Sequence, residues 1–169
     1  DSRLTLNDSE EGRRRLGEVI ATAVGQSDIK TKNVAISLSS QKTFTTIIDV
    51  PAQDPKELQK TIKYQIDQYI PMAIDDAKVD WALIGQSLHK KDSQEVLLAS
   101  TAKAYSEDRL EFIESLGFNV VAAEPDSLAM TRSLMPKDTT SAQLLIDFGE
   151  TATDLSIVYD NAPRLVRTI

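Results

Sequence analysis

Cysteine is missing from all 169 residues, so the chain can form no disulfide and no thiolate metal site. Histidine occurs once, as His89 in the turn His89-Lys90-Lys91-Asp92-Ser93. A lone imidazole beside two lysines reads as a solvated surface group, not as a catalyst or ligand. No apolar run approaches the roughly 18 residues of a spanning helix. A Walker-type loop, a Gly-x-Ser-x-Gly elbow, a His-Glu-x-x-His helix and a Gly-x-Gly-x-x-Gly turn are all lacking. Hydrolase, protease and dinucleotide-enzyme chemistry therefore have no motif to stand on. Positive charge is in the minority, and the net charge is −7. Such a surface argues against nucleic-acid backbones and anionic membranes as main partners. Neither an internal repeat nor a low-complexity segment is visible.

What is present suits a globular mixed α/β chain, with 41 % apolar and 27 % charged residues. Residues 1–9 are polar and expected to fray. A helix is predicted from Glu10 to about Val24, with Leu16, Val19, Ile20 and Ala23 on one stripe and Gly25 at its end. Arg13, Arg14 and Arg15 at its front read as a solvated face or as an anion site. Val34–Ser39 and Phe44–Val50 read as a strand pair about the polar turn Ser40-Gln41-Lys42. Asp54-Pro55-Lys56-Glu57 is a helix start: Asp54 caps, Pro55 fits the first position, and Glu57 completes a capping box. The apolar stripe Leu58, Ile62, Ile66, Tyr69, Ile70 carries that helix to Pro71. A hairpin follows, Val79–Gly85 and Glu95–Ser100, in which Trp81 reads as core or edge packing. Then come a helix from Tyr105 to Leu116 ended by Gly117, a strand 118–123, a helix 127–134 and a loop 135–140. The order is αββαββαβαβββ.

The last third holds the motif with most chemistry. Leu144-Leu145-Ile146 runs into Asp147, Gly149 follows two positions later, Thr153 stands seventh, and a second strand begins at once. A carboxylate at a strand end can hold a hydrated metal ion. A glycine with its following N–H groups can approach a phosphate. The same residues also make an ordinary hairpin turn. Asp147-x-Gly149-x-x-x-Thr153 resembles the second phosphate loop of actin-like ATPases.

Several segments together resemble one family. The helix ending Tyr69-Ile70-Pro71, the strand opening Val79-Asp80-Trp81 and the strand Val96-Leu97-Leu98-Ala99 are similar to the PilM family of type IV pilus assembly proteins. So are Leu116-Gly117-Phe118, Glu124-Pro125, Leu128-Ala129 and the Asp147 loop. The resemblance runs from about residue 12 to the end and covers about half of a typical member. It implies an α/β fold: a partial actin-like, ribonuclease-H-like lobe with an inserted small β/α domain. The insert would span 33–104. Residues 1–32 and 105–169 would belong to the main lobe. The chain opens at Asp1 and stops in a strand at Ile169, so it is expected to be a piece of a longer protein.

The resemblance further implies ATP and Mg²⁺ as cofactors of the longer protein. Asp147 would hold Mg²⁺ through water. Gly149, Glu150 and Thr151 would face the β- and γ-phosphates, and Thr153 would fix the hairpin. Glu124 falls where some actin relatives position the attacking water; its plainer reading is a helix-start residue before Pro125. Members are cytoplasmic and peripheral to the inner membrane. They dock on other pilus platform proteins by holding the short N-terminal tail of the membrane protein PilN, with no insertion of their own. The walls of that cleft are expected to be the exposed side of the 58–70 helix and the sheet of the inserted domain. Alternatives are a filament-forming FtsA-like ATPase, the cytoplasmic platform protein of type II secretion, and a sugar or acid kinase. Lacking neighbouring strands, the piece is also expected to pair its 144–169 edge with a second copy as a homodimer or domain swap. One phosphate loop without its facing partner leaves phosphate charge unneutralised. The 169-residue chain should therefore bind Mg-ATP very weakly and not turn it over; low-micromolar affinity by calorimetry would overturn this.

Overall fold

The computed structural model describes residues 9–136, 141–150 and 152–169. The expectations for residues 1–8, for 137–140 of the last loop and for Thr151 lie outside these described residues. The elements follow the predicted order: α1 (Glu10–Gly25), β1 (Asn33–Leu38), β2 (Thr43–Pro51), α2 (Pro55–Gln65), β3 (Ala77–Gln86), β4 (Ser93–Ala102), α3 (Lys103–Ser115), β5 (Asn119–Pro125), α4 (Asp126–Leu134), β6 (Gln143–Phe148), β7 (Thr153–Tyr159) and β8 (Ala162–Thr168). The chain divides into two units, residues 1–36 with 107–123 and residues 37–106 with 124–169.

In the first unit, the Ser9 hydroxyl caps α1 by accepting the Gly12 N–H at 3.1 Å. Arg14 and Arg15 both reach Glu11, at 2.9 and 2.7 Å, so these two form a solvated, self-paired face. Arg13 instead pairs with Asp108 of α3. A Cβ on Gly17 would lie 2.9 Å from a Leu116 methyl, so a larger residue there would push the end of that side chain aside. Gly117 ends α3 with φ +85°, a conformation glycine adopts without penalty.

β1 and β2 do not pair with each other. β1 pairs with β5, whereas β2 joins the sheet β2-β4-β3. Two apolar strands with a short polar link look like a hairpin in sequence, but the link turns the chain from one sheet into another. Asp126 secures that turn: its carboxylate accepts the Ser40 N–H at 3.0 Å and also the Ser40 hydroxyl.

The core of the second unit lies between α2 and one face of β2-β4-β3. Leu58 and Ile62 of α2 meet Ile48, Val50, Val96 and Leu98, with Trp81 and Val79 packed at the margin. Each fully buried aliphatic side chain here contributes about 1.5–3 kcal/mol. Asp54 caps α2 through the N–H groups of Lys56 and Glu57, at 2.9 and 3.1 Å. The expected capping box is not completed, because the Glu57 carboxylate turns to Lys60 at 2.8 Å. The α-helix also stops at Gln65 and tightens into a 3₁₀ turn over Ile66–Gln68. The tighter turn still buries Ile66 and Ile70.

The other face of this sheet carries Asp49 and Glu95, which stand opposite each other on β2 and β4. Glu95 is only 2 % exposed. Its carboxylate accepts the Leu88 N–H at 3.1 Å and pairs with the guanidinium of Arg164 on β8. Arg164 Nε also donates to the Tyr159 carbonyl at 3.0 Å. Asp49 has Lys90 at 3.7 Å. The third sheet, β6-β7-β8, buries Ser156 and Val158 but leaves Leu144, Ile146, Phe148, Ile157 and Leu165 exposed.

Removing one member of a buried ion pair costs about 3–5 kcal/mol, because the other charge is left desolvated. Arg164→Met should therefore destabilise the chain by that order in urea denaturation. The double variant Glu95→Leu/Arg164→Met should recover most of the loss; failure to recover would contradict the assignment.

Candidate functional site

The β6–β7 hairpin brings Asp147, Gly149, Glu150 and Thr153 together, as the motif suggested. Asp147 is exposed on β6 and faces Asp154 across the ladder. Asp154 accepts a hydrogen bond from the Thr168 hydroxyl. A Cβ at position 149 would lie 2.8 Å from the Ala152 carbonyl oxygen, so the loop itself requires glycine there. Thr153 is tied to the end of the chain: its N–H and C=O each pair with Ile169, both at 2.9 Å. Among the described residues no three His, Asp or Glu side chains gather into a metal cluster. An ion at Asp147 would rest on one carboxylate plus water and phosphate oxygens, a mode that Mg²⁺ accepts.

Glu124 does not belong to this hairpin. It ends β5, and Arg132, one α-helical stretch later, holds it with both guanidinium nitrogens, Nη1 at 2.6 Å. The hydrogen bonds from Arg132 hold the Glu124 carboxyl below its ordinary range, against the opposing effect of partial burial. Such a group is a poor proton acceptor.

Glu124 and Arg132 instead line a groove of about 550 Å³ in the second unit. Its floor is Ala82 and Ile84 of β3 and Leu97 of β4. Side chains alternate along a strand, so Leu97 points away from its buried neighbours Val96 and Leu98, onto the face that α2 does not cover. The sheet forms one wall of this groove, and α2 does not form the other. That wall comes from Leu128, Thr131 and Met135 along α4 and from Ala162 and Pro163 after the β7–β8 turn. Asp160 and Asn161 form that turn with φ of +52° and +57°, a two-residue hairpin of the left-handed kind. β3 is an edge strand, so its outer backbone groups are not used by the sheet. β7 separates the two features: Thr153 starts it at the motif hairpin and Tyr159 ends it at the groove, about 20 Å of extended chain.

A protein-family model for the type IV pilus assembly protein PilM matches residues 5–168. Among solved structures the chain is similar to the PilM–PilN type IV pilus biogenesis complex, at 19 % identity and a TM-score of 0.78, covering 94 % of this chain and 48 % of that one. It is also similar to the cytoplasmic domain of EpsL, an inner membrane component of the type II secretion system of Vibrio cholerae, at 16 % identity and a TM-score of 0.61, covering 94 % and 56 %. The chain spans about half the length of these relatives. The likeness bears out the expected α/β, actin-like fold.

The Glu124–Arg132 pair sets a direction for pH. With its pKa depressed, Glu124 contributes stability that is present above the unfolded-state carboxylate value and is lost as pH falls through the lower folded value. Arg132→Gln removes the depressing partner and leaves the effect of burial. The Glu124 carboxyl should then titrate at higher pH by carbon NMR; an unmoved titration would refute the pairing.

Proposed function

This chain belongs to the family of type IV pilus assembly proteins PilM, and we propose that it forms the partner-holding part of a cytoplasmic assembly adaptor. In this reading the groove holds the short N-terminal cytoplasmic tail of a PilN-type membrane protein, and through it the longer protein is peripheral to the inner membrane and joined to other pilus platform proteins. The observation that carries the reading is the groove itself: an apolar floor of Ala82, Ile84 and Leu97 beside the free edge of β3. An extended peptide gains backbone hydrogen bonds from such an edge and side-chain contacts from the floor. Among the described residues no helix is long and apolar enough to cross a membrane, so on this reading attachment comes through the tail.

The β6–β7 hairpin takes a second role in the same proposal. In the longer protein Asp147, Gly149, Glu150 and Thr153 would line the phosphate end of a nucleotide, with Asp147 holding hydrated Mg²⁺. The nucleotide then supplies charge and shape that order the adaptor; turnover is not required of it. The likeness to cytoplasmic EpsL supports a second reading, the equivalent adaptor of a type II secretion platform.

The test is a binding isotherm between this chain and a synthetic peptide of the N-terminal tail of the PilN-type protein encoded beside it, with a scrambled peptide as control. Saturable binding of the true tail alone is expected. Ala82→Trp fills the groove from an exposed position and should weaken that binding at least tenfold while leaving thermal unfolding unchanged. Absence of binding, or binding indifferent to Ala82→Trp, overturns the assignment of the tail to this groove.

A further inference from the structure

Three charged side chains line the groove, and their bookkeeping is unequal. Glu124 and Arg132 neutralise each other through two hydrogen bonds. Asp160 is exposed at the rim and has no ion-pair partner among the described residues. The nearest cation along the chain is engaged elsewhere: Arg164 is held by Glu95 and by the Tyr159 carbonyl. The position of Asp160 is fixed by its backbone. It is the first residue of a two-residue turn in which Tyr159 and Ala162 are paired, and the Arg164 bond to Tyr159 anchors the strand just before it. The groove therefore offers apolar walls with one uncompensated negative charge at a defined end.

We propose that Asp160 is the specificity-determining residue of this groove and reads an arginine or lysine on the bound segment. The proposal rests on the groove reading above and deepens it by naming the chemistry of the occupant: an extended peptide with apolar side chains over Leu97 and Leu128 and a cationic residue at the β7–β8 turn. A rim ion pair gives modest affinity but rejects segments that place a carboxylate there. The turn chemistry favours the same division of labour, since Asp tolerates the left-handed conformation that most residues resist.

The test is a double-mutant cycle by calorimetry. Asp160→Asn removes the charge and keeps a residue suited to positive φ, so the turn persists. In the tail peptide each Arg or Lys is replaced in turn by Gln. Asp160→Asn should weaken the natural tail roughly three- to fivefold, an effect of the size measured for exposed ion pairs. One particular Gln substitution should cost the same, and the two changes together should cost no more than either alone. An unchanged affinity with Asp160→Asn, losses that simply multiply for every position, or a natural tail that lacks Arg and Lys would each overturn the proposal. If instead the natural tail does not bind, or Ala82→Trp leaves its binding unchanged, the groove reading fails and this inference falls with it. A tail that binds and responds to Ala82→Trp but shows no coupling to Asp160 overturns this inference alone.

Discussion

A carboxylate that is 2 % exposed must have a counter-charge, and Glu95 takes its own from a strand nearly seventy residues further along. Asp49 stands opposite it on the neighbouring strand, so the sheet face away from α2 begins with two like charges side by side. Arg164 answers the inner one and Lys90 approaches the outer one. An uncompensated charge in that place would be pushed toward water, and the sheet with it. The guanidinium of Arg164 is planar and carries several fixed donors, so it also holds the Tyr159 carbonyl and lies 5.9 Å from the Tyr159 ring. One side chain thus sets where β8 starts and where the β7–β8 turn stands. Ala162 and Pro163, a wall of the groove, sit in the residues just before it.

The two candidate sites differ in how complete they are within the chain. The motif hairpin is exposed, its glycine is required by its own loop, and Asp147 faces Asp154 across the ladder. The groove has its floor, both walls and its rim charges from a single unit. A partner-holding role can therefore be tested on these residues alone.

Much of the fold was legible because it is local. The Asp54 cap with Pro55, the stripe from Leu58 to Ile70, and the alternation in β3, β4, β6 and β7 each follow from short-range spacing. The pairing of β1 with β5 was not legible, since a polar link of four residues looks the same whether it closes a hairpin or changes sheets. The motif Asp147-x-Gly149 announced a hairpin and stood where it was expected. The groove left no such trace, because Ala82, Leu97, Leu128 and Asp160 are distant in sequence and none is chemically conspicuous. Glu124 stood out without its partner, because Arg132 lies eight residues on and is reached only after the chain turns from strand into helix. One signal could have been used. Asp160-Asn161 between two alternating strands is a recognisable two-residue hairpin turn, and it marks the groove rim.

The pairing of β1 with β5 also bears on how the chain assembles. Asn119 donates to Asn33 at 2.8 Å across 86 residues, so that two-stranded sheet closes a long loop before gaining any contact. Loop-closure entropy grows only logarithmically with length, yet it is due in full before the reward arrives. The β3–β4 hairpin closes over a few residues, and β2 and α2 add to it from the immediately preceding chain. Near the two ends of the intervening chain the Ser39 N–H donates to the Tyr105 hydroxyl at 3.4 Å, so condensation of that segment shortens the effective loop. The β2-β4-β3 segment then serves as a kinetic clamp for the β1–β5 pair.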